Sequence, residues 1–398
     1  MRLSQRVQRI QPSITFGVAA RARELQDKGR DIISFGVGEP DFDTPAHIQD
    51  AASLAMQKGA GKYTAIAGLS ELRAAAAAEL AAVHDRPLKA ENILVSTGAK
   101  HSIYNLLMAL LDDGDEVIVP TPCWPSHVEL VRIAGGVAVL AEQRSEDGFQ
   151  LDPTLLARLI TPRTRAILLN SPSNPTGAVY DAENLAALAE VVRTHGSPDL
   201  YIITDDLYRR LVYAPAQWAS LCRVAPDLRD RTLLIDGVSK TYAMTGWRIG
   251  FCAGPRPLID AMQALQGQVT TNATTIAQHA AYAALTGNQV PVEAMRAEFD
   301  RRRRVMYESL CRIPGLRCAE PQGAFYCFPD LRAYLRPTGP RDDIELCEWL
   351  LEHAGIAAIP GSGFFAPGFL RFSYATSLAN IEEGMRRLAA GLTQLGPA

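Results

Sequence analysis

The sequence predicts an α/β protein of about two domains, and three observations carry this. Short apolar runs at residues 93–97, 117–119, 166–169, 200–204, 233–235 and 249–253 read as buried strands, with helical stretches between them, as at 101–111. The polar and glycine-rich segments that hold the chemically useful side chains follow these runs, where ligands sit in open α/β sheets. Finally, 398 residues are too many for one simple core.

Composition narrows the class. Hydrophobic residues make up 47% of the chain and charged residues 21%, the balance of a soluble globular protein. A net charge of −3 gives no electrostatic case for nucleic acid or an anionic membrane. The one basic cluster, Arg301 to Arg304, lies in a helical region and reads as a solvated face with local ion pairs. The seven cysteines are scattered, with no C-x-x-C pair and no His/Cys cluster. No disulfide framework and no metal site are expected, and reduced thiols suit the cytoplasm. The N-terminus carries charges throughout, unlike a secretory signal, and no apolar run approaches membrane-spanning length.

Taken in order, Leu3, Val7 and Ile10 recur at helical spacing in a basic segment, an amphipathic arm expected to dock on something. Pro12 and Ser13 end it. A helix over about 16–28 stops at Gly29, and residues 32–37 read as a strand. Gly38-Glu39-Pro40-Asp41-Phe42-Asp43-Thr44-Pro45 is either an ordinary turn or a loop whose backbone approaches a ligand carboxylate. Its Thr44-Pro45 pair starts the next helix. Tyr63 lies between two helices. Gly98-Ala99-Lys100 joins a strand to a helix N-terminus, a geometry that cradles phosphate on backbone N–H groups. Trp124 and His127 stand past the run 117–119.

The run 166–169 delivers Asn170-Ser171-Pro172-Ser173-Asn174-Pro175-Thr176-Gly177, in which two prolines fix the backbone and the Asn174 amide can donate to a phenolate oxygen. Asp205 ends the next run, with Asp206 beside it and Tyr208 three residues on. A carboxylate there can keep a pyridinium nitrogen protonated. The run 233–235 leads to Lys240. A lysine beside an apolar strand end is a candidate Schiff-base former, because desolvation disfavours the ammonium. Arg248 offers a planar donor fork suited to phosphate. After about Gly287 the chain changes character, with a charged helix over about 292–310 and then short elements. Arg371, flanked by Leu370 and Phe372, must be paired if buried.

The order G-V-S-K-x-x-A-M-T-G-W-R-I-G around Lys240 resembles the pyridoxal-phosphate attachment motif of class I/II aminotransferases. Its companions follow in the family's order: G-x-G-E-P-D-F-x-T-P at 36–45, N-x-P-x-N-P-T-G at 170–177 and D-x-x-Y at 205–208. The resemblance covers essentially the whole chain. It implies fold type I, with a mostly parallel seven-stranded sheet bearing helices on both faces, and a smaller α+β domain. The large, cofactor-binding domain would span 46–286 and the small one 1–45 with 287–398. It also implies a homodimer with shared active sites, and pyridoxal 5'-phosphate held as an imine on Lys240, the catalytic residue.

By the same resemblance Gly98, Ala99, Lys100, Ser239, Arg248 and Tyr208 line the cofactor site, Trp124 stacks on the ring, Asn174 bonds the 3′ oxygen and Asp205 meets the ring nitrogen. Tyr63 would reach the phosphate of the neighbouring subunit. Substrate contacts would come from Gly38, Trp124, Asn174 and Arg371, the last on the α-carboxylate. His127 resembles another branch of the superfamily, where it supports the cofactor's aspartate. Gly98-Ala99-Lys100 resembles the G-G-K of the aspartate/prephenate aminotransferase subgroup, whose lysine pairs with a distal carboxylate, helped by a hydroxyl matched here by Thr15 or Ser13. Lys100 otherwise faces solvent.

The implied reaction moves an amino group from an L-amino acid, aspartate first, to a 2-oxo acid, 2-oxoglutarate first, by a ping-pong scheme. A prephenate, aromatic or broad-range aminotransferase is the alternative, and a C–S lyase on the same fold a further one. A sensor module of a transcription regulator needs a DNA-binding domain that the sequence before the first motif is too short to hold. Cys123, His127 and Gly237 depart from the subgroup's pattern; at Gly237 some relatives carry a phosphate-binding serine.

Overall fold

Twelve strands form among the described residues, 2–8, 10 and 14–396, of this computed structural model. Strand β1 (Ile33–Ser34) stands apart. The next seven build one sheet: β2 (Ile93–Ser96), β3 (Glu116–Thr121), β4 (Val137–Glu142), β5 (Thr164–Asn170), β6 (Tyr201–Asp205), β7 (Thr232–Gly237) and β8 (Gly250–Ala253). Their spatial order is β2-β8-β7-β6-β5-β3-β4, and every pair is parallel except the two that β8 makes with β2 and β7. The expected seven-stranded, mostly parallel sheet is therefore present.

Side-chain alternation explains why these runs are continuously apolar. Val117 and Val119 of β3 pack with Ile103, Leu107 and Val131 on one face, while Ile118 joins Leu156, Leu185 and Leu188 on the other. With helices on both faces, both sets of alternating positions are buried. The chain reverses its winding between β3 and β5: from β3 it steps outward to β4, then returns to β5 on the other side of β3. Crevices at such switch points, beyond the strands' carboxyl ends, are where ligands bind.

Four short strands complete the set: β9 (Tyr326–Cys327), β10 (Ile356–Ala357), β11 (Ile359–Pro360) and β12 (Leu370–Ser373). β1 pairs with β10, and β11, β12 and β9 make a three-stranded antiparallel sheet. A second core forms here, with Phe299 and Met306 of the helix Val290–Cys311 against Phe325, Tyr326 and Phe372. The strand expected over 32–37 is reduced to β1. Past Phe35 the backbone leaves the ladder, and Gly36 O accepts instead from Arg371 Nη2 at 2.9 Å.

The arginine cluster differs from a solvated face. Arg301 and Arg304 are exposed, but Arg302 and Arg303 turn inward and are buried. Arg302 pairs with Asp41 at 2.7 Å and Glu298 at 2.9 Å, and Arg303 with Asp300 at 2.8 Å and Glu320 at 2.5 Å. Four successive helical residues span more than one turn, so they cannot all share the solvent face. The Arg302–Asp41 pair ties this helix to the loop after β1. Among the described residues no helix is long and apolar enough to cross a membrane.

Candidate active site

A cavity of about 830 Å³ opens beyond the carboxyl ends of the parallel strands. Trp124 follows β3, Asn170 ends β5 with Asn174 just beyond, Asp205 ends β6, and Ser239 and Lys240 follow β7. Ala99 and Lys100, Tyr208, Arg248, Gly38 and Arg371 complete its candidate lining. Residues spread over more than 330 positions thus meet in one place because strand ends deliver them there.

Lys240 Nζ donates to Gly38 O at 2.7 Å. Burial pulls its pKa from 10.5 down to about 8, Arg371 and Arg248 push the same way, and Glu39 and Asp205 oppose. A neutral, nucleophilic amine is therefore accessible near neutral pH.

Asp205 is buried and accepts a hydrogen bond from His127 Nε2 at 2.9 Å. Asp206 points elsewhere. It accepts from Thr204 Oγ1 at 2.7 Å, and burial raises its pKa well above the carboxylate range. Asp205, not Asp206, lines the cavity, as the D-x-x-Y spacing implies. Asn170 stiffens the wall. Its Nδ2 donates to Asp205 O at 2.9 Å and its Oδ1 accepts from Asn174 N at 3.0 Å.

Arg371 is buried, with Nη1 donating to Asn174 Oδ1 at 3.0 Å and Nη2 to Gly36 O at 2.9 Å. Its guanidinium lies 4.5 Å from the Tyr326 ring centroid and 4.9 Å from that of Phe364. Its Nε is buried without a hydrogen bond. Tyr208 and Tyr326 share a hydrogen bond at 3.0 Å, and burial raises both phenol pKa values.

The glycine turn is shaped by Arg248. Gly98 has φ +83°, and a Cβ there would fall 2.3 Å from Arg248 Nη2. A Cβ on Gly250 would fall 2.2 Å from Ala99 N. β8 and the N-terminus of the helix Ala99–Leu110 thus approach as closely as glycine allows, with the guanidinium against the turn. Helix N–H groups and a guanidinium together suit a phosphate dianion. Gly237 also has a local reason: a side chain would press to 3.0 Å from Ile249 O and 3.1 Å from Gly250 Cα.

Three further expected residues lie at or beyond the rim of this arrangement or outside the described residues. Lys100 is exposed on the cavity wall, its Nζ 4.6 Å from the Trp124 ring centroid, and enclosure followed by the Arg248 charge lowers its pKa. Tyr63 is 88% exposed and does not line the cavity of its own chain. Thr15 falls in the helix Ile14–Asp27, but its side chain, like Ser13, lies outside the described residues.

The cavity also holds residues that sequence reasoning did not place: Tyr326, Phe364, Glu129 and Arg132. For Glu129 and Arg132, the helical spacing from Pro125 was the available signal. For Tyr326 and Phe364, only the tertiary packing on Arg371 places them.

Comparison with known proteins agrees with this geometry. The chain matches the family aminotransferase class I and II over residues 30–388. An aspartate aminotransferase of Geobacillus stearothermophilus is 46% identical over 388 residues, 98% of each protein. An aspartate/prephenate aminotransferase of Nitrosomonas europaea is 43% identical, covering 99% of this chain and all of its own. Among solved structures, the aspartate aminotransferase of Thermus thermophilus with maleate superposes with a TM-score of 0.92 at 44% identity, over 98% of this chain and 100% of that one. That of Rhizobium meliloti gives 0.95 at 41%, over the whole of both. The match across nearly the full length, on a fold whose cavity gathers the family's motif residues, settles the assignment: this chain belongs to the class I and II aminotransferases.

Proposed function

We propose that this chain is a pyridoxal-phosphate-dependent aspartate aminotransferase, with 2-oxoglutarate as the amino acceptor. The observation that carries this reading is the convergence of Lys240, Asp205, Asn174, Arg248 and Arg371 on one cavity. The residues suit the cofactor. The turn at Gly98 with Arg248 and Ser239 would hold the phosphate, Trp124 offers a stacking face, Asn174 would meet the phenolic oxygen with Tyr208 in the same wall, and Asp205 with His127 would meet the ring nitrogen. Bound there, the cofactor supplies an electron sink for the carbanion formed at the substrate α-carbon.

The chain's own residues do the rest. Arg371 forks onto the substrate α-carboxylate, beside Gly38 and Asn174. Lys240, whose pKa burial lowers to about 8, would act as the general base toward the substrate's α-proton. Lys100 meets the distal carboxylate, with Thr15 as a further candidate partner. The maleate in the Thermus structure's name is a dicarboxylate, which supports this reading. The N. europaea relative's name carries prephenate as the second candidate substrate, itself a dicarboxylate.

The large domain would be residues 46–286 and the small one 1–45 with 287–398. In a homodimer, exposed Tyr63 would reach the partner's site. Scattered thiols suit a cytoplasmic protein. The test is absorbance of the cofactor-loaded protein as amino acids are added singly. Conversion to the amino form of the cofactor by aspartate, reversed by 2-oxoglutarate, is expected. Conversion only by neutral or aromatic amino acids would discard the dicarboxylate reading, and release of pyruvate and ammonia from a cysteine conjugate would favour a lyase.

A further inference from the structure

We propose that Arg132 is a second distal-carboxylate contact, serving dicarboxylates longer than aspartate; this rests on the dicarboxylate reading above. The helix Pro125–Ile133 starts at Trp124 and lines the cavity with Pro125, Glu129 and Arg132. These positions, spaced four and then three residues apart, fall on one face. The face works as a ruler. Trp124 marks its inner end, and the Arg132 Cα lies about 10 Å further along the axis from Pro125. Helical side chains lean toward the N-terminus, over the preceding turn. Arg132 does this: its Nη1 reaches back to Glu129 Oε1 at 2.7 Å, placing the cation about one turn, ~5 Å, nearer Trp124 than its Cα.

Charge balance points the same way. Among the described residues the cavity's cationic side chains are Lys100, Arg132, Lys240, Arg248 and Arg371, and its carboxylates are Glu129 and Asp205. Under the proposed function Arg248 takes the cofactor phosphate, Lys240 the covalent role and Arg371 the α-carboxylate. Lys100, with no carboxylate partner among the described residues, remains for a distal carboxylate, and Arg132, ion-paired with Glu129 through one nitrogen, keeps further N–H groups to offer. Lys100, against Trp124, stands at the inner level and suits a four-carbon substrate. Arg132, further out, suits a five-carbon or ring-borne carboxylate. Among the described residues its hydrogen-bond partner is Glu129 alone, which engages one nitrogen of the guanidinium and holds the group in place. Glu129 is in this sense a positioning residue.

The experiment is steady-state kinetics of the cofactor-loaded Arg132→Gln variant with four amino donors: aspartate, glutamate, arogenate (the amino form of prephenate) and phenylalanine. KM for glutamate and arogenate is expected to rise about tenfold or more with kcat held, while aspartate and phenylalanine stay within about twofold. Arg132→Lys should recover part of the loss, and Lys100→Gln should show the opposite selectivity, weakening aspartate most. An equal change for all four donors, or none, overturns the assignment of Arg132. If the wild type prefers phenylalanine and neglects all three dicarboxylates, the underlying dicarboxylate reading falls and the Arg132 assignment with it. Circular dichroism and the cofactor absorbance of each variant separate misfolding from altered specificity; a misfolded Arg132→Gln leaves Arg132→Lys and Lys100→Gln to decide, and unaltered donor selectivity in both overturns the proposal.

Discussion

Covalent capture of pyridoxal phosphate by the cofactor-free protein should climb about tenfold per pH unit and level off above pH ~8. The attacking group is the neutral Nζ of Lys240. Burial lowers its pKa from 10.5 to about 8. At pH 7 roughly a tenth of the chains then carry the free amine, about 300-fold more than for a lysine at its ordinary value. Two substitutions check the cause. Glu39 favours the ammonium, so Glu39→Gln should move the inflection to lower pH; Arg371 disfavours it, so Arg371→Gln should move it higher. The assay is rapid-mixing absorbance, with Nα-acetyl-lysine run in parallel to divide out the cofactor's own titration and Lys240→Ala as the blank. An inflection near 10.5 would refute the desolvation argument. Capture by Lys240→Ala at the wild-type rate would move the chemistry off this residue altogether.

Further substitutions test the walls of the site. Gly250→Ala puts a Cβ 2.2 Å from Ala99 N, so β8 and the glycine turn must separate. Cofactor affinity should fall at least about tenfold and stability by about 1–3 kcal/mol, read by equilibrium dialysis and denaturant titration; an unchanged dissociation constant would mean the turn does not hold the phosphate. His127→Phe removes the donor to Asp205 Oδ2. Losing a buried partner of a charged group costs about 1–3 kcal/mol, so kcat should drop by about 5–150-fold with the fold intact. Wild-type turnover would show that Asp205 needs no such support.

How much of this was legible depended on whether a residue's environment is set locally. β3 and β7 are buried along their whole length, so their apolar runs stand out against polar neighbours. β4 lies at the sheet edge: its run Val137 to Ala141 is as apolar as the others, yet Val137 is 48% and Leu140 41% exposed, so an apolar run there does not report a buried strand. The motif residues were readable because their order along the chain is itself the signal. The His127–Asp205 bond spans 78 positions and was reachable only through resemblance. The inward turn of Arg302 and Arg303 follows from what the helix packs against, which a run of four like charges does not reveal. Gly237 looked like a missing phosphate contact, and a side chain there would have to press on Ile249 O and Gly250 Cα by a few tenths of an ångström, a strain visible only in the fold.

Arg371 separates a structural from a ligand-directed reading of a buried charge. A buried guanidinium serving the fold should meet a carboxylate, because an uncompensated charge is costly to desolvate. Arg302 and Arg303 follow that rule. Among the described residues Arg371 has no carboxylate partner, only an amide oxygen, a backbone carbonyl and two aromatic faces, with Nε unbonded. These dipoles and rings hold the cation in place without neutralising it, which preorganises it for an anion. Arg371→Met should therefore change the stability of the free protein by no more than about 1–2 kcal/mol, since the lost hydrogen bonds and the removed buried charge oppose each other. The same change should raise KM for amino acids about a hundredfold or more and abolish the rise in Tm that the dicarboxylate reading predicts for maleate with the cofactor-loaded wild type. A loss of about 3–5 kcal/mol in the free protein, as expected for breaking a buried ion pair, would instead make Arg371 a residue of the fold.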